Sequence, residues 1–179
     1  MASAEAPPHN AAVIEKLIKQ HGDRLHPQES FVSALRCGAV DSVQPGAVFG
    51  MLGAIGRRME RSLSEDEIET RATQVKLFLH RRGLELVEFP ESKVGYTLAL
   101  TEQRVVVFNF TGRRFLSESP IRGMRVEQLR HDNDMSTLFF CEGRQAAAIT
   151  SWEDAALTAH FVSSYNAQAS AATTARRAS

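Results

Sequence analysis

From Leu84 onward the chain consists of short runs of strand-forming residues separated by groups of turn-forming residues. The runs are LELVEF, YTLALT, RVVVFNF, MRVEQLR, TLFFCE and AAAIT, and the groups between them are PESKVG, TEQ, TGRR, SESPIRG, HDNDMS and EGRQ. Runs in which β-branched, aromatic and other apolar residues recur with a period of two predict β-strands. Because connections this short join antiparallel neighbours, we expect an antiparallel meander.

The segment after the last run, WEDAALTAHFVSSYN, has the pattern of an amphipathic helix. Leu157, Phe161 and Tyr165 are four residues apart and therefore lie on one face. Ser151 and Asp154 are residue types that cap helix N-termini. Because an antiparallel sheet with one apolar face needs another element to cover that face, we expect this C-terminal helix to close the sheet.

A helix and a strand are predicted before the meander. Asn10 is placed to cap the helix AAVIEKLIKQ and Gly22 to end it. The apolar stripe of this helix consists of Ile14, Leu17, Ile18 and His21. Residues 31–40 form the first predicted strand, and its period of two places on one face Phe31, Ser33, Leu35, Cys37 and Ala39.

An insertion of residues 41–82 separates this first strand from the meander. Its second part, residues 65–82, is predicted to be a helix because Ser64 and Glu67 form a capping box and Gly83 follows a basic last turn. The face of that helix consists of Ile68, Ala72, Val75 and Leu79. The first part of the insertion is an apolar segment in which glycine recurs every three residues, at Gly50, Gly53 and Gly56.

Residues 96–108, YTLALTEQRVVVF, carry a resemblance to a known fold. A strand ending in LALT turns through two polar residues into an arginine and a β-branched strand, and Trp152 opens the final helix. This pattern resembles the bacterial PH-like domains of the pleckstrin-homology superfold over about residues 29–166. The resemblance implies an α+β fold: a PH-like antiparallel β half-barrel or sandwich of about seven strands capped by a C-terminal helix, with an N-terminal helix and a helical insertion after the first strand.

The chain departs from the phosphoinositide-binding pattern of that superfold. The pattern places closely spaced Lys and Arg on the first hairpin, whereas here the first strand is followed by the insertion, and the whole chain has four lysines. No lipid-binding residue is therefore carried over from the resemblance.

Length and composition predict one domain. With 179 residues, 43% of them hydrophobic, the chain can bury one sizeable core, which we place in residues 10–166. Residues 1–9 and 167–179 are rich in Ala, Ser, Thr or Pro and lack apolar periodicity, so we expect disordered tails.

The two cysteines and the N-terminus predict a location. Cys37 and Cys141 lie in apolar runs without C-x-x-C or Cys/His spacing, which favours buried free thiols in a reducing compartment. The first residues lack the pattern of a signal peptide, and the apolar segment of residues 47–55 is too short to span a bilayer. We expect a cytoplasmic protein, with peripheral association at the inner face of the membrane as the alternative.

The glycine-spaced segment is the candidate contact site. Its spacing is neither that of a dinucleotide-binding loop nor that of a Walker A loop. One interpretation is close packing on the barrel or on a second copy of the chain. The other is an interfacial anchor, with apolar side chains inserted and basic ones at anionic headgroups. The residues of this partner- or membrane-binding site are Phe49, Met51, Leu52, Ile55, Arg57, Arg58 and Arg61.

A second basic set falls in one turn and along the strand after it. It consists of Arg113, Arg114, Arg122, Arg125 and Arg130. Charged side chains at a sheet edge prevent pairing with other chains, and a patch for an acidic partner is the alternative.

The sequence does not support nucleic-acid binding, a metal site or catalysis. Lys plus Arg equals Asp plus Glu, so no net field draws the chain to nucleic acid. The histidines lack carboxylates or cysteines at metal-ligand spacing, and no nucleophile elbow is present. We therefore predict no metal, no cofactor and no catalytic residue.

These observations rank three functions. The first is a non-enzymatic PH-like interaction or scaffolding module that binds a protein partner or self-associates. The alternative is a peripheral membrane or lipid-binding protein that uses the glycine-spaced segment and the adjacent arginines. The third is a small-molecule carrier or enzyme, whose ligand the sequence does not identify.

Overall fold

The computed structural model describes residues 10–39, 65–87, 95–121, 124–132 and 135–177. The helices in these ranges are α1 (Ala11–His21), α2 (Glu65–Arg82) and α3 (Ala155–Arg177), and a short 3-10 turn (Gly22–Arg24) follows α1. The strands are β1 (Phe31–Ala39), β2 (Glu85–Val87), β3 (Tyr96–Thr101), β4 (Arg104–Asn109), β5 (Phe115–Pro120), β6 (Arg125–Arg130), β7 (Ser136–Glu142) and β8 (Gln145–Ser151).

The described strands belong to one sheet of eight strands that is not closed. Its order is β5-β4-β3-β1-β8-β7-β6, and β2 additionally pairs with β8. The pairings are antiparallel except that between β2 and β8. The predicted α+β class, with an antiparallel sheet and a C-terminal helix, is confirmed.

Helix α3 covers the inner face of the sheet, and the largest apolar cluster fills the space between them. Leu157, Phe161 and Tyr165 of α3 are at most 7% exposed. The sheet contributes alternate residues such as Leu98 and Leu100 of β3, as the period of two requires. Burial of each such side chain contributes about 1.5–3 kcal/mol before the entropy of ordering it is subtracted. The predicted cover of the sheet by the C-terminal helix is confirmed.

Helices α1 and α2 cover two parts of the outer face. Ile14 and Leu17 of α1 pack with residues of β1, β3 and β4, while Val75 and Leu79 of α2 pack with residues of β7 and β8. The cysteines are free and buried, as predicted; Cys37 belongs to the inner cluster and Cys141 to the cluster beneath α2. They therefore lie on opposite faces of the sheet.

The alternate side chains of β1 do not all lie on the one face of the sheet predicted for them. Its register against β3 shifts between Phe31 and Ser33, which marks a β-bulge. Phe31 packs in the outer cluster with α1, whereas Leu35 and Cys37 lie in the inner cluster. Because a shift of one residue moves the following side chains to the opposite face, the prediction that Phe31 shares a face with Leu35 is wrong.

The runs after Leu84 do not form the single meander predicted for them, because β5 and β6 do not pair and lie at opposite ends of the sheet. Strand β2 lies outside both of the resulting meanders, β3-β4-β5 and β6-β7-β8. It runs parallel to β8 and pairs with Gln145, Ala146 and Ala147. The end of β1 pairs with the other half of β8, up to Ser151. The predicted antiparallel pairing of this run is therefore wrong, because β2 occupies the part of the β8 edge that β1 leaves open.

Strand β5 forms where the sequence predicts a turn. Ser117 is half-buried, while Glu118, Ser119 and Pro120 are exposed. The strand is paired on one side, with β4, at the end of the sheet. A strand in this position has little apolar surface to bury, so it lacks the alternation by which strands are recognised.

The predicted bounds of α2 are confirmed, and Gly83 follows it with φ +62°. This left-handed conformation is the usual end of a helix and favours glycine. Val75 and Leu79 are buried, as predicted. Ser64 of the predicted capping box and the side chain of Ile68 lie outside the described residues.

Helix α1 differs from prediction at its N-terminal cap, and α3 differs at both ends, since it begins at Ala155 and not at Trp152. Asn10 precedes α1 but makes no side-chain capping bond; its amide donates instead to Glu153 at 3.1 Å. Helix α3 continues past Asn166 to Arg177, through residues expected to form a tail. Alanine, the best helix former, is frequent there, and the hydroxyls of Thr173 and Thr174 donate to carbonyls one turn earlier.

The Trp152 ring lies directly against the backbone of Gly38 in β1 and of Gly95, which precedes β3. A Cβ atom at Gly38 would lie 2.3 Å from the Trp152 ring, and one at Gly95 would lie 2.5 Å from it. Gly95 also has φ +122°, a conformation that side chains rarely adopt. The Trp152 amide donates to Arg36 O at 2.9 Å, so ring and backbone together join the start of α3 to β1.

Candidate functional site

The contact site predicted from the sequence lies outside the described residues. It consists of Phe49, Met51, Leu52, Ile55, Arg57, Arg58 and Arg61, all between the end of β1 and the start of α2. Its roles in self-association or membrane binding stay predictions.

The interior between the sheet and α3 is occupied by the chain's own side chains. Phe161 and Tyr165 are fully buried, and the Tyr165 ring meets Phe140 edge to face with centroids 5.9 Å apart. Burial raises the pKa of the Tyr165 hydroxyl, which has no hydrogen-bond partner. This packing makes the inner face a structural core.

A cleft of about 620 Å³ lies between the β3–β4 turn, the end of β5 and Ala172 of α3. Arg104 and Glu118 line it, and both are already engaged with one another. Glu102 also lines the cleft and accepts hydrogen bonds from the amide and the hydroxyl of Ser30 at 2.7 and 2.5 Å. Arg104, Glu118 and Glu102 of the cleft are thus already engaged, which leaves the cleft poorly suited to capture a charged ligand.

Below this cleft, Arg104 forms a bidentate pair with Glu29. Arg104 Nε donates to Glu29 Oε1 and Nη2 donates to Oε2, both at 3.0 Å. Thr101 and the amide of His26 also donate to the Glu29 carboxylate, whose side chain is 0% exposed. Burial alone would raise the pKa of Glu29, but the hydrogen bonds from Arg104, Thr101 and His26 outweigh it and lower the pKa. The pair ties the segment before β1 to the β3–β4 hairpin.

Strand β6, at one end of the sheet, is only partly covered by α3. The Asn166 side chain accepts from the Val126 amide at 3.0 Å and donates to the Val126 carbonyl at 2.9 Å. In an antiparallel pair, alternate residues direct both backbone groups away from the partner strand. Gln128 is two residues from Val126, so its amide and carbonyl also point away from β7.

The outward backbone groups of Gln128 have no hydrogen-bond partner within the described ranges. Its side chain is held in place, because the amide nitrogen donates to the Ser136 hydroxyl at 2.8 Å. The next outward residue, Arg130, does have a partner. Strand β6 therefore presents an unpaired backbone position beside the one that Asn166 fills.

Strand β5, at the opposite end, has an edge that resists pairing. The Ile121 amide donates to Gln103 O at 3.1 Å, so the alternation directs the backbones of Glu118 and Pro120 away from β4. Proline has no amide hydrogen, so Pro120 cannot donate to an added strand. Of the two end strands, β6 is the one open to pairing.

Sequence reasoning did not identify this β6 surface. Val126 and Gln128 look like ordinary strand residues, and Asn166 stands at the predicted end of a helix. Their relation depends on how α3 crosses β6, which local patterns do not specify. Of the basic set near this edge, Arg125 pairs with Glu127 at 2.9 Å, and Arg122 lies outside the described residues.

Within the described ranges, no group of three or more His, Cys, Asp or Glu side chains is placed to hold a metal ion. No helix in those ranges is both long and apolar enough to cross a bilayer. No protein-family model matches the chain, and no curated protein matches it.

Proposed function

We propose that the chain is a non-enzymatic, PH-like interaction module that binds an extended segment of a partner protein along the edge of β6. The PH-like assignment is supported by the order of the sheet, in which two three-stranded meanders, β3-β4-β5 and β6-β7-β8, meet at β1, which pairs with β3 on one side and with β8 on the other. It is also supported by the C-terminal helix that covers the inner face.

The observation that carries the proposal is the unpaired backbone of Gln128 beside the Asn166–Val126 contact. An added strand gains main-chain hydrogen bonds at such an edge, and the side chains around it select the sequence. Asn166 already supplies to Val126 one donor and one acceptor, as a paired strand would. An incoming segment would continue this pairing from Val126 towards Gln128.

The two other functions have less support. A carrier that held its ligand beneath α3 or in the cleft would need an open pocket with unsatisfied polar groups there, whereas that interior is filled and Arg104, Glu29 and Glu118 at the cleft are paired. The membrane alternative depends on residues 49–61, outside the described ranges, and no observation within those ranges favours it.

The test uses a substitution that removes one backbone donor. Gln128→Pro deletes the outward amide hydrogen at a position where β7 does not use it, so the sheet tolerates it better than a proline in a central strand. Gln128→Ala is the matched control, because it loses the same contact with Ser136 but keeps the amide. Far-UV circular dichroism checks that both variants are folded.

Binding is measured with peptides selected on the purified wild-type chain from a random display library. We expect the selected peptides to bind Gln128→Ala with nearly wild-type affinity and Gln128→Pro at least tenfold more weakly, because each hydrogen bond lost at the edge also leaves its partner unpaired. Failure to select any peptide, or equal binding to Gln128→Pro, would reject the proposal. Sedimentation velocity tests a second copy as the occupant, since Gln128→Pro would then abolish self-association.

A further inference from the structure

A second feature lies on the outer face, beneath the first half of α2, and is independent of β6. His131 and four other polar side chains are grouped there, and all of them except the half-buried Gln74 are at most 8% exposed. They come from α2, from the sheet face below it and from the β6–β7 connection, and they are Arg71, Gln74, His131, Thr137 and Thr150.

His131 is the best-satisfied member of this cluster. Its Nδ1 lies 2.7 Å from Gln74 Oε1, and its Nε2 lies 2.8 Å from the Thr137 hydroxyl. Because a carboxamide oxygen can only accept, Nδ1 carries the hydrogen and Nε2 accepts from Thr137. Burial, and then the charge of Arg71, lower the pKa of His131 to about 4. The ring is therefore neutral at pH 7 and fixes the distance between α2 and β7.

Arg71 is the least satisfied member. The residue is 4% exposed, yet its Nε has no hydrogen-bond partner, and Nη2 donates to Met135 Sδ at 3.3 Å, a weak acceptor. No carboxylate of the described residues lies within ion-pair distance of it. Burial lowers the pKa of Arg71, and the charge of Glu67 one turn earlier offsets part of that shift.

The Thr150 hydroxyl is a second unsatisfied group in this cluster. It is buried, has no hydrogen-bond partner, and belongs to the residue that pairs with Thr137 across β7 and β8. Buried charges in proteins are normally paired, and buried hydroxyls normally make a hydrogen bond. A buried guanidinium and a buried hydroxyl that lack partners in the same cluster indicate a missing acceptor with negative charge.

We propose that this cluster is a binding site for the oxyanion group of a small molecule, either a phosphate or a carboxylate. Arg71 supplies the positive charge and the unpaired Nε–H, a donor that suits both groups. Thr150 supplies a hydroxyl donor. His131, with both nitrogens engaged, holds Gln74 and Thr137 in place and does not compete for the anion.

The experiment measures thermal unfolding of the full chain in increasing sodium phosphate or sodium acetate, with sodium chloride at matched ionic strength as reference. A ligand that binds only the folded state raises the Tm in a saturable way, so we expect such a rise with one of the two anions. The anion that produces it distinguishes a tetrahedral from a planar ligand group. Equal curves in all three salts would overturn the proposal.

Two arginine variants on the same helix separate a ligand-binding role from a structural one. Arg71→Met removes the buried charge, and Arg81→Met makes the same change at an exposed position. We expect Arg71→Met to lose the anion response and, without anion, to unfold at a Tm no lower than that of the wild type, because replacing an unpaired buried charge with an apolar side chain removes a cost. Arg81→Met should keep the response. A lower Tm of Arg71→Met in chloride alone would instead assign Arg71 to a structural ion pair.

A binding measurement completes the test. The Arg71 Nε–H resonance should shift on titration of the wild type with the effective anion, and Thr150→Val should weaken binding by roughly 10- to 100-fold, the equivalent of one hydrogen bond to a charged group. An unshifted Arg71 resonance would refute the proposal even if the Tm rises.

Discussion

Gly38→Ala tests whether Trp152 determines the packing at the end of β1. The added Cβ would lie 2.3 Å from Cζ2 and 2.8 Å from Cε2 of the ring, so the indole has to move. Overpacking of this kind costs about 1–3 kcal/mol. Without a clash, replacing glycine within a strand stabilises by roughly 0.5–1 kcal/mol, because the unfolded chain loses less conformational entropy on folding.

The sign of the effect therefore depends on Trp152. In the wild-type background we expect Gly38→Ala to destabilise the chain by about 2 kcal/mol. In a Trp152→Ala background the obstructing ring is absent, and the same change should stabilise by about 0.5 kcal/mol. The coupling energy of this double-mutant cycle is then about 2.5 kcal/mol, far above the few tenths found for independent sites.

Gly95→Ala is the control, because its clash has a second cause. A Cβ there would also lie 2.5 Å from the Cys37 carbonyl oxygen, and φ is +122°. Its cost should therefore persist when Trp152 is replaced. Urea unfolding followed by circular dichroism at 222 nm measures all variants, since removing the tryptophan changes fluorescence but not helix content. Equal costs of Gly38→Ala in both backgrounds would refute the steric argument.

Two further predictions concern buried groups. Glu29→Gln should cost about 3 kcal/mol at pH 7, because it leaves Arg104 without its bidentate partner. The pKa of Glu29 in the folded state is lowered from 4.5, so the difference in unfolding free energy between wild type and variant should shrink as the pH falls below 4.5. Urea midpoints measured from pH 7 to 3 check this, and a constant difference between the two midpoints would contradict it. Cys37 and Cys141 should resist a thiol reagent such as Ellman's at pH 8 in the native chain, because burial raises the pKa of both thiols. Both thiols should react once the chain is unfolded in urea, and rapid labelling of the native chain would contradict the prediction.

The elements that can be predicted from the sequence are those whose own residues show an apolar periodicity or a terminating glycine. The stripe of Leu157, Phe161 and Tyr165 identifies α3 because each of these residues is buried against the sheet. Gly83 marks the end of α2 because glycine adopts the left-handed conformation found there. In both cases the physical cause is local or periodic, so it is visible without the tertiary structure.

Other features have causes that lie elsewhere in the chain. The bulge in β1 depends on the register against β3, and no residue type near Phe31 requires it. The Asn166 contact with Val126 and the burial of Arg71 arise from elements 40 and 64 residues away in sequence. Both candidate sites are of this kind, which is why the sequence pointed instead to the glycine-spaced segment.

The position of β2 changes how the insertion should be tested. Strand β1 pairs with β8 from Ser151 to Ile149, and β2 pairs with it from Gln145 to Ala147, so the two strands approach one another along the same edge. Helix α2, between them in sequence, packs on β7 and β8 through Val75 and Leu79. Residues 65–87 therefore complete the sheet and its outer layer. Removing all of residues 41–82 would delete α2 and uncover that layer, so any loss of binding would follow from unfolding. Substitutions confined to residues 40–64 keep every residue of α2 and β2 and therefore suit the test better.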